Sequence, residues 1–186
     1  MTSATNSSNP DLGSLDQDTQ ANRWTLRYER RFPHPPEHVW RALVEAEHRD
    51  VWFPHAIEGE WKEGAPLTFI SREGFGDPFD GEVLTVDRPR LLAFSWGPDV
   101  IRIELTADGP GTAMTFTDTI GEYGKAARDG AGWHQCLARL ASSLDGPTVS
   151  WAEDRTWSEV HRAYVGAFGP EASTIGPPEG HPAIDG

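Results

Sequence analysis

Apolar and polar residues alternate along much of this chain before the pattern changes to a helical period. From Trp24 to Phe32 every second residue is apolar except Arg30, and most residues between them are polar. Alternation of this kind predicts a strand with one buried face. Similar patterns predict six further strands, over Ile57–Trp61, Pro66–Arg72, Asp80–Asp87, Leu91–Trp96, Val100–Ala107 and Thr112–Thr119. Their short, turn-rich connections predict antiparallel hairpins.

A helical stripe follows the last strand. The residues that share one helical face are Trp133, Leu137, Leu140 and Leu144. Gly146 and Pro147 come just after the last turn and end the helix. Of the predicted elements, only the sheet is large enough to cover this face. The pattern therefore predicts an α+β domain in which a curved, seven-stranded antiparallel sheet surrounds a long C-terminal helix, with any ligand between the two.

Shorter helices are predicted on either side of this unit. Pro35 and Pro36 suit the first turn of a helix that continues to Val44, and Glu47–Phe53 is typical of a second short helix. Beyond the long helix, the segment from residue 150 to residue 153 has the pattern of a capping box for an additional C-terminal helix. The apolar stripe of that helix consists of Trp157, Val160, Tyr164 and Phe168. We expect it to dock on its own domain, with a homodimer contact as the alternative.

Composition and charge narrow the function classes. The 186 residues suffice for about one domain, and a hydrophobic content of 37% indicates a folded chain. A net charge of -13 disfavours nucleic acid and anionic membranes as partners. The single cysteine, Cys136, cannot form an intrachain disulfide, and neither an export signal nor a membrane span is evident. A cytoplasmic location is therefore expected.

The two ends differ in composition from the middle of the chain. Residues 1–22 are mostly polar, and residues 169–186 are rich in glycine and proline, so both are expected to be flexible tails. Between them we expect the main domain over residues 23–146 and the additional helix within residues 147–168.

Several short segments carry a resemblance to a known family. They are Pro35-Pro36-Glu37-His38-Val39-Trp40, Val51-Trp52-Phe53-Pro54, Gly81-Glu82-Val83, Arg88-Pro89-Arg90-Leu91-Leu92, Ser95-Trp96, Gly111-Thr112 and Gly132-Trp133. Together they resemble the START-like (SRPBCC) superfamily, and within it the Aha1-like branch of Hsp90 ATPase activator homologues. The resemblance implies a helix-grip fold, as in the Bet v 1 allergens, with a hydrophobic cavity between the sheet and the long helix. Many bacterial members of this branch have no assigned ligand.

The aromatic residues of the predicted sheet and helix are the first candidates for lining such a cavity. The candidate apolar ligand-binding residues are Trp52, Phe69, Phe75, Phe94, Trp96, Phe116, Trp133 and Leu137. The alternative is that these side chains fill a solid core, since large apolar residues are normally buried.

Two charged residues break the inward-facing apolar pattern, and both are candidate ligand contacts. Arg30 lies on the first predicted strand and Asp118 on the last. If Trp24 pairs near Ile120, Arg30 faces Met114 and lies ~14 Å along the strands from Asp118, so the two are expected to act separately. Asp118 is expected near the start of the long helix and Arg30 near the first helix. A structural ion pair or exposure to water is the alternative for each.

No motif indicates metal, cofactor or covalent chemistry. The histidines, including the His34 and His38 pair, lack a compact ligand spacing, so we expect no metal and no cofactor. His134 should point to a flank of the long helix, about 100° from Trp133. Cys136 has the default character of a buried helix thiol. We therefore expect no catalytic residue.

Three functions remain open on this basis. The favoured hypothesis is a noncatalytic module that holds a small hydrophobic molecule between the sheet and the long helix. The second is a co-chaperone-like interaction with an Hsp90-type ATPase, which only the family resemblance suggests. The third is a cyclase- or hydrolase-type enzyme in which Asp118 or His134 acts as acid or base.

Overall fold

One antiparallel sheet of eight strands forms the framework of the protein. The structure is a computed structural model and describes residues 11–72, 74, 76–145 and 156–177. The strands run in the spatial order β1-β2-β8-β7-β6-β5-β4-β3. Their bounds are Ser14–Asp18 (β1), Arg23–Phe32 (β2), His55–Gly59 (β3), Pro66–Ser71 (β4), Phe79–Asp87 (β5), Leu91–Trp96 (β6), Asp99–Asp108 (β7) and Gly111–Ile120 (β8).

The helices lie at the connections of this sheet and after its last strand. They are α1 (Pro36–Val44), α2 (Ala46–Arg49), α3 (Ala126–Ser143) and α4 (Trp157–Phe168), with 3-10 turns over Tyr123–Lys125 and Pro170–Ser173. Among the described residues, no helix combines the length and the apolar character that crossing a membrane requires. The order of elements is that of a helix-grip fold, as predicted.

The predicted count of seven strands is wrong, because β1 adds an eighth within the segment expected to be a tail. This strand pairs with β2 through its backbone, with Leu15 opposite Leu26. Its sequence, Ser-Leu-Asp-Gln-Asp, has one apolar residue, so the alternation test does not detect it. The other seven strands lie within two residues of their predicted bounds.

The apolar stripe of α3 is buried, as its spacing predicts. Trp133, Leu137, Leu140 and Leu144 belong to one hydrophobic core together with inward-facing residues of the sheet such as Phe116. The helix begins at Ala126, two turns before the predicted stripe, and its first residues are small or charged. The sheet therefore covers the long helix with its apolar face, which is the arrangement that positions any interior site.

The additional helix α4 packs on α3 and covers one flank of it. Val160 and Tyr164 are fully buried. The Tyr164 hydroxyl accepts a hydrogen bond from the backbone N–H of Gly13 (2.9 Å), which ties α4 to the segment before β1. The helix starts at a capping box formed by Thr156 and Glu159. The capping box predicted over residues 150–153 lies outside the described residues.

Two glycines of α3 provide a matched test of this packing. A Cβ atom at Gly130 would lie 2.8 Å from the Tyr164 ring, whereas a Cβ at Gly132 would meet no atom within 4 Å. Gly132→Ala is expected to stabilise the protein by about 0.5–1 kcal/mol, because alanine is the better helix former. Gly130→Ala is expected to destabilise it, because the steric conflict exceeds that gain. Urea denaturation of both variants checks the difference, and equal effects would contradict the packing of α4 on α3.

Candidate functional site

Aromatic rings fill the space between the sheet and α3. Phe69, Phe94 and Phe116 are fully buried in this space. The Trp133 ring lies 4.9 Å from Phe116 and 5.7 Å from Phe53, measured between ring centres. A crevice beside Phe94 and the buried Trp52 is too narrow to admit a water molecule. The predicted lining residues that the structure describes thus belong to one region, which in this conformation is a packed core.

One line of rings leads from this core toward the surface. The Trp96 ring lies 5.7 Å from Trp133, 4.7 Å from Phe79 and 4.8 Å from His55. Trp96, Phe79 and His55 are only partly buried. We call His55, Phe79, Trp96 and Trp133 the aromatic path. Burial and the nearby Arg72 guanidinium lower the pKa of His55 to about 4, so the imidazole is neutral at pH 7. Phe75, another predicted lining residue, lies outside the described residues.

The aromatic path ends at a buried carboxyl group. The Trp133 indole N–H donates a hydrogen bond to Asp118 Oδ2 over 2.8 Å, and Asp118 is 1% exposed. Asp118 faces inward because it shares the parity of Phe116 on β8. Among the described residues its second oxygen, Oδ1, has no hydrogen-bond partner. The sequence-predicted contact Asp118 therefore joins the predicted Trp133 at one point.

Arg30 lies apart from Asp118, as the register predicts. In the sheet Arg30 pairs with Met114 and Asp118 with Leu26. The Arg30 guanidinium donates hydrogen bonds to the backbone oxygens of Glu29 and Asp11 and lies 5.6 Å from the centre of the Tyr28 ring. These contacts place Arg30 against the amino-terminal segment, whereas we had expected it beside the first helix. The residue pattern of β2 does not reveal that the segment around Asp11 folds back onto this strand.

Around Asp118, two further carboxylates and a lysine form a compact charged group. Asp99, Asp118 and Asp129 each offer an oxygen atom within 4.8 Å of the others, and we call these three residues the carboxylate cluster. The Lys125 ammonium forms an ion pair with Asp99 and lies 3.6 Å from Asp129 Oδ2. Burial, reinforced by the Asp129 and Asp99 carboxylates, raises the pKa of Asp118 well above its usual range. Burial also raises the pKa of Asp129.

A second buried polar group lies on the opposite flank of α3. His134 Nδ1 is 2.9 Å from the Tyr164 hydroxyl, and the Tyr28 hydroxyl donates to the Gly130 carbonyl over 2.8 Å. His134 points to a flank, as its offset from Trp133 predicts, but α4 covers that flank and buries the imidazole completely. Burial lowers the pKa of His134 to about 4. Cys136 is buried on the same helix, as expected.

A surface recess of about 250 Å³, which the residue pattern does not predict, lies at the C-terminal end of α3. Its lining residues are His38, Arg41, Ala42, His48, Val51, Ser143 and Leu144. The Arg41 guanidinium is held by Glu45 through two hydrogen bonds of 2.9 and 3.1 Å, and the His34 ring stacks on His38. The only sequence signal was the density of histidines between residues 34 and 48, which lie on separate elements. Nearby Glu45, Glu47 and His48 also bring three potential metal-ligand atoms within 4.8 Å, on an exposed surface.

The raised pKa of Asp118 predicts a pH-dependent stability difference for Asp118→Asn. The folded protein keeps the Asp118 proton where the unfolded chain, with a pKa near 3.8, has lost it. The stability that this proton contributes is present below pH 3.8 and is lost as the pH rises through the folded pKa. The variant has no such proton, so its melting temperature should rise relative to the native protein between pH 4 and pH 8. Calorimetry measures this trend, and an equal pH dependence of the two melting temperatures would contradict it.

The hydrogen bond between His134 and Tyr164 predicts that removing the Tyr164 hydroxyl group lowers the stability of the protein. Tyr164→Phe leaves the Gly13 N–H and His134 Nδ1 without this partner in a buried place. We expect a loss of about 1–3 kcal/mol in the free energy of unfolding. Tyr123→Phe is the control, because the partly exposed Tyr123 hydroxyl bonds to the Phe168 carbonyl, where water can replace it. Equal losses in denaturant titrations would show that the buried network contributes nothing specific.

Solved structures share this fold. The conserved protein EF2215 from Enterococcus faecalis, whose function is unknown, aligns with a TM-score of 0.68 and 19% identity over 83% of this chain and 88% of its own. CalU16 from Micromonospora echinospora aligns with a TM-score of 0.64 and 19% identity over 84% and 96% of the two chains. DynU16, described as a putative protein in the dynemicin biosynthetic locus, is 27% identical over 65% of this chain and 47% of its own, with a TM-score of 0.57.

The family follows from a sequence match that covers most of the domain. No curated protein matches the chain significantly. Residues 33–145, from the turn before α1 to the end of α3, match the family model described as activator of Hsp90 ATPase homolog 1-like protein. This range includes Asp118, Trp133 and most of the sheet. The chain therefore belongs to the activator of Hsp90 ATPase homolog 1-like family of SRPBCC-type domains.

Proposed function

We propose that this protein is a noncatalytic binding module that takes up a small aromatic or otherwise apolar molecule between the sheet and α3. The observation that carries the proposal is the aromatic path, which connects a partly exposed rim to the buried hydrogen bond between Trp133 and Asp118. A site of this composition, with many rings and one polar anchor, is typical of small-molecule recognition.

The packed interior requires that a ligand displace side chains rather than enter an open chamber. His55, Phe79 and Trp96 are the rings with the least buried surface on the path, so they cost the least to move. Phe69 and Phe116 are fully buried and hold the core behind them. A ligand ring would thus replace the Trp96 indole and stack on Trp133, and the binding free energy would be reduced by the cost of opening the path.

Binding rather than turnover fits the chemistry along the path. Its lining is mainly hydrocarbon, and Asp118 Oδ2 is already engaged by the Trp133 N–H. His134 lies under α4, bonded to Tyr164, and not on the path. The biosynthetic locus of the structural neighbour DynU16 agrees with a role in small-molecule metabolism, and the family match supports a ligand-binding domain.

Replacing the rim indole tests this function. Trp96→Ala removes the ring that a ligand must displace and leaves apolar space, which binds aromatic molecules readily. We expect 1-naphthalenemethanol to bind with 1:1 stoichiometry to the native protein and about tenfold more tightly to Trp96→Ala, as measured by native mass spectrometry and calorimetry.

Trp157→Ala is the matched control, because this partly buried tryptophan stacks on His161 of α4, outside the path. Its affinity should equal that of the native protein. If Trp96→Ala does not fold, Phe79→Leu opens the same rim with a smaller loss of volume. The proposal is overturned if neither rim variant nor the native protein binds the probe or any member of a neutral aromatic library.

A further inference from the structure

The carboxylate cluster lies directly beside the inner end of the aromatic path. Asp99 is the cross-strand neighbour of Trp96 in the hairpin between β6 and β7, and Asp118 accepts the hydrogen bond of Trp133. Asp129 lies one helical turn before Trp133 on α3, on the same side of the helix. The two inner rings of the path and the three carboxyl groups therefore form one continuous region.

Two carboxyl oxygens in this region are buried and lack hydrogen bonds. Asp99 is 3% exposed and Asp118 is 1% exposed. Among the described residues, neither Asp99 Oδ1 nor Asp118 Oδ1 has a partner. Leaving a buried acceptor unsatisfied is unfavourable, because the group has lost its water without gaining a partner. The cluster thus has spare capacity to accept hydrogen bonds from a group that carries several donors.

The charges of the cluster determine which kind of group fits. Three carboxylates face two cations, Lys125 and Arg128, so one negative charge remains when all three are ionised. A single positive charge balances the site, whereas a divalent metal ion would leave an excess positive charge in a buried place. Lys125 also already lies against Asp99 and close to Asp129, where such a metal would coordinate. A monovalent donor group is therefore favoured over a metal ion.

The surrounding rings favour the same kind of group. Trp133 lies within 6 Å of Trp96, Phe53 and Phe116, so a group next to Asp118 would be enclosed by ring faces and edges. Aromatic faces attract ammonium groups, and the attraction grows when water is excluded. The net charge of -13 attracts cations to the protein as a whole.

We propose that the carboxylate cluster recognises the protonated amine of an aromatic ligand, with Asp118 as the principal contact. The inference rests on the proposed function and specifies its ligand class: the ring occupies the aromatic path and the ammonium group bonds to Asp118 Oδ1. A neutral ligand of the same shape would gain the stacking but would lack the charge.

Uptake of the ammonium group favours the ionised form of Asp118. Burial and the facing groups Asp129 and Asp99 raise the pKa of Asp118 well above its usual range, against the opposing effects of the Trp133 N–H and Lys125. A proton that Asp118 holds in the free protein therefore passes to solvent when the ammonium group arrives, and the carboxylate balances the new charge. The ligand keeps its own proton, so binding of the amine releases protons. Tyr28 on β2 also faces Asp118, but its pKa is raised well above 10 and it stays neutral.

A matched pair of probes separates this inference from the proposed function. The probes are 1-naphthalenemethylamine and 1-naphthalenemethanol, which share a ring system and differ in charge. We expect the amine to bind the native protein at least tenfold more tightly than the alcohol at pH 7. Calorimetry in two buffers of different ionisation enthalpy should show net proton release for the amine and none for the alcohol.

Asp118→Asn keeps an oxygen for the Trp133 N–H and removes the charge. The preference for the amine should disappear in this variant, while the affinity for the alcohol stays within about twofold of the native value. Asp108→Asn, at the exposed hairpin between β7 and β8, should keep the full preference. If Asp118→Asn does not fold, Asp129→Asn and the proton count on the native protein still test the inference.

The outcomes are distinct. Binding of the alcohol without preference for the amine overturns the inference and leaves the proposed function standing. Failure of both probes, and of the neutral library, overturns the proposed function and the inference with it. Stoichiometric binding of Mn²⁺ or Zn²⁺ that is lost in Asp118→Asn would show that the cluster is a metal site and would also overturn the inference.

Discussion

The burial of one face of α3 on the inner face of the sheet is the constraint on which the rest of the structure depends. Trp133, Leu137, Leu140 and Leu144 are each at most 5% exposed. Removing four large apolar side chains from water contributes on the order of 6–12 kcal/mol, an upper estimate because unfolded chains are partly collapsed. That contribution is comparable to the net stability of a whole domain. The orientation of α3 about its axis is therefore determined, and with it the direction of every polar side chain on the helix.

Two groups of polar side chains at α3 consequently lie on its two flanks, where different elements bury them. On one flank, Asp129 and the neighbouring Lys125 meet Asp99 and Asp118 of the sheet. On the other, His134 meets Tyr164 of α4. Both groups are buried, so each ionisable side chain there is stable in the protonation state that lowers its charge or finds a counter-ion. The protein thus combines a mainly apolar core with a buried group of partly compensated charges at its edge.

The same aromatic residues serve stability and the proposed binding function, and the two demands conflict. Rings that pack against Trp133 exclude water and stabilise the core, but they also occupy the volume that a ligand needs. The partly exposed rim formed by His55, Phe79 and Trp96 reduces this conflict, because the two demands fall on different residues. Displacing the rim rings exposes less buried surface than displacing Phe69 or Phe116. A ligand with its own rings can replace most of the contacts that it breaks.

The periodic features of this protein can be read from its residue pattern alone. The period of two located seven strands and the side of the sheet that each residue faces, because alternate residues on a strand must face opposite sides. With Trp24 paired to Ile120, it also separated Arg30 from Asp118 along the strands. The period of 3.6 identified the buried stripe of α3. Features that leave no periodic pattern in the sequence depend on contacts between distant segments and are visible only in the folded protein. The edge strand β1 is held by backbone hydrogen bonds. His134 is buried by a helix whose contacting residue, Tyr164, comes 30 residues later in the chain. Asp99, Asp118 and Asp129 meet because three separate elements converge. Whether the rings leave room for a ligand also depends on three-dimensional packing, since a pattern of apolar residues is the same for a filled core and for a lined cavity.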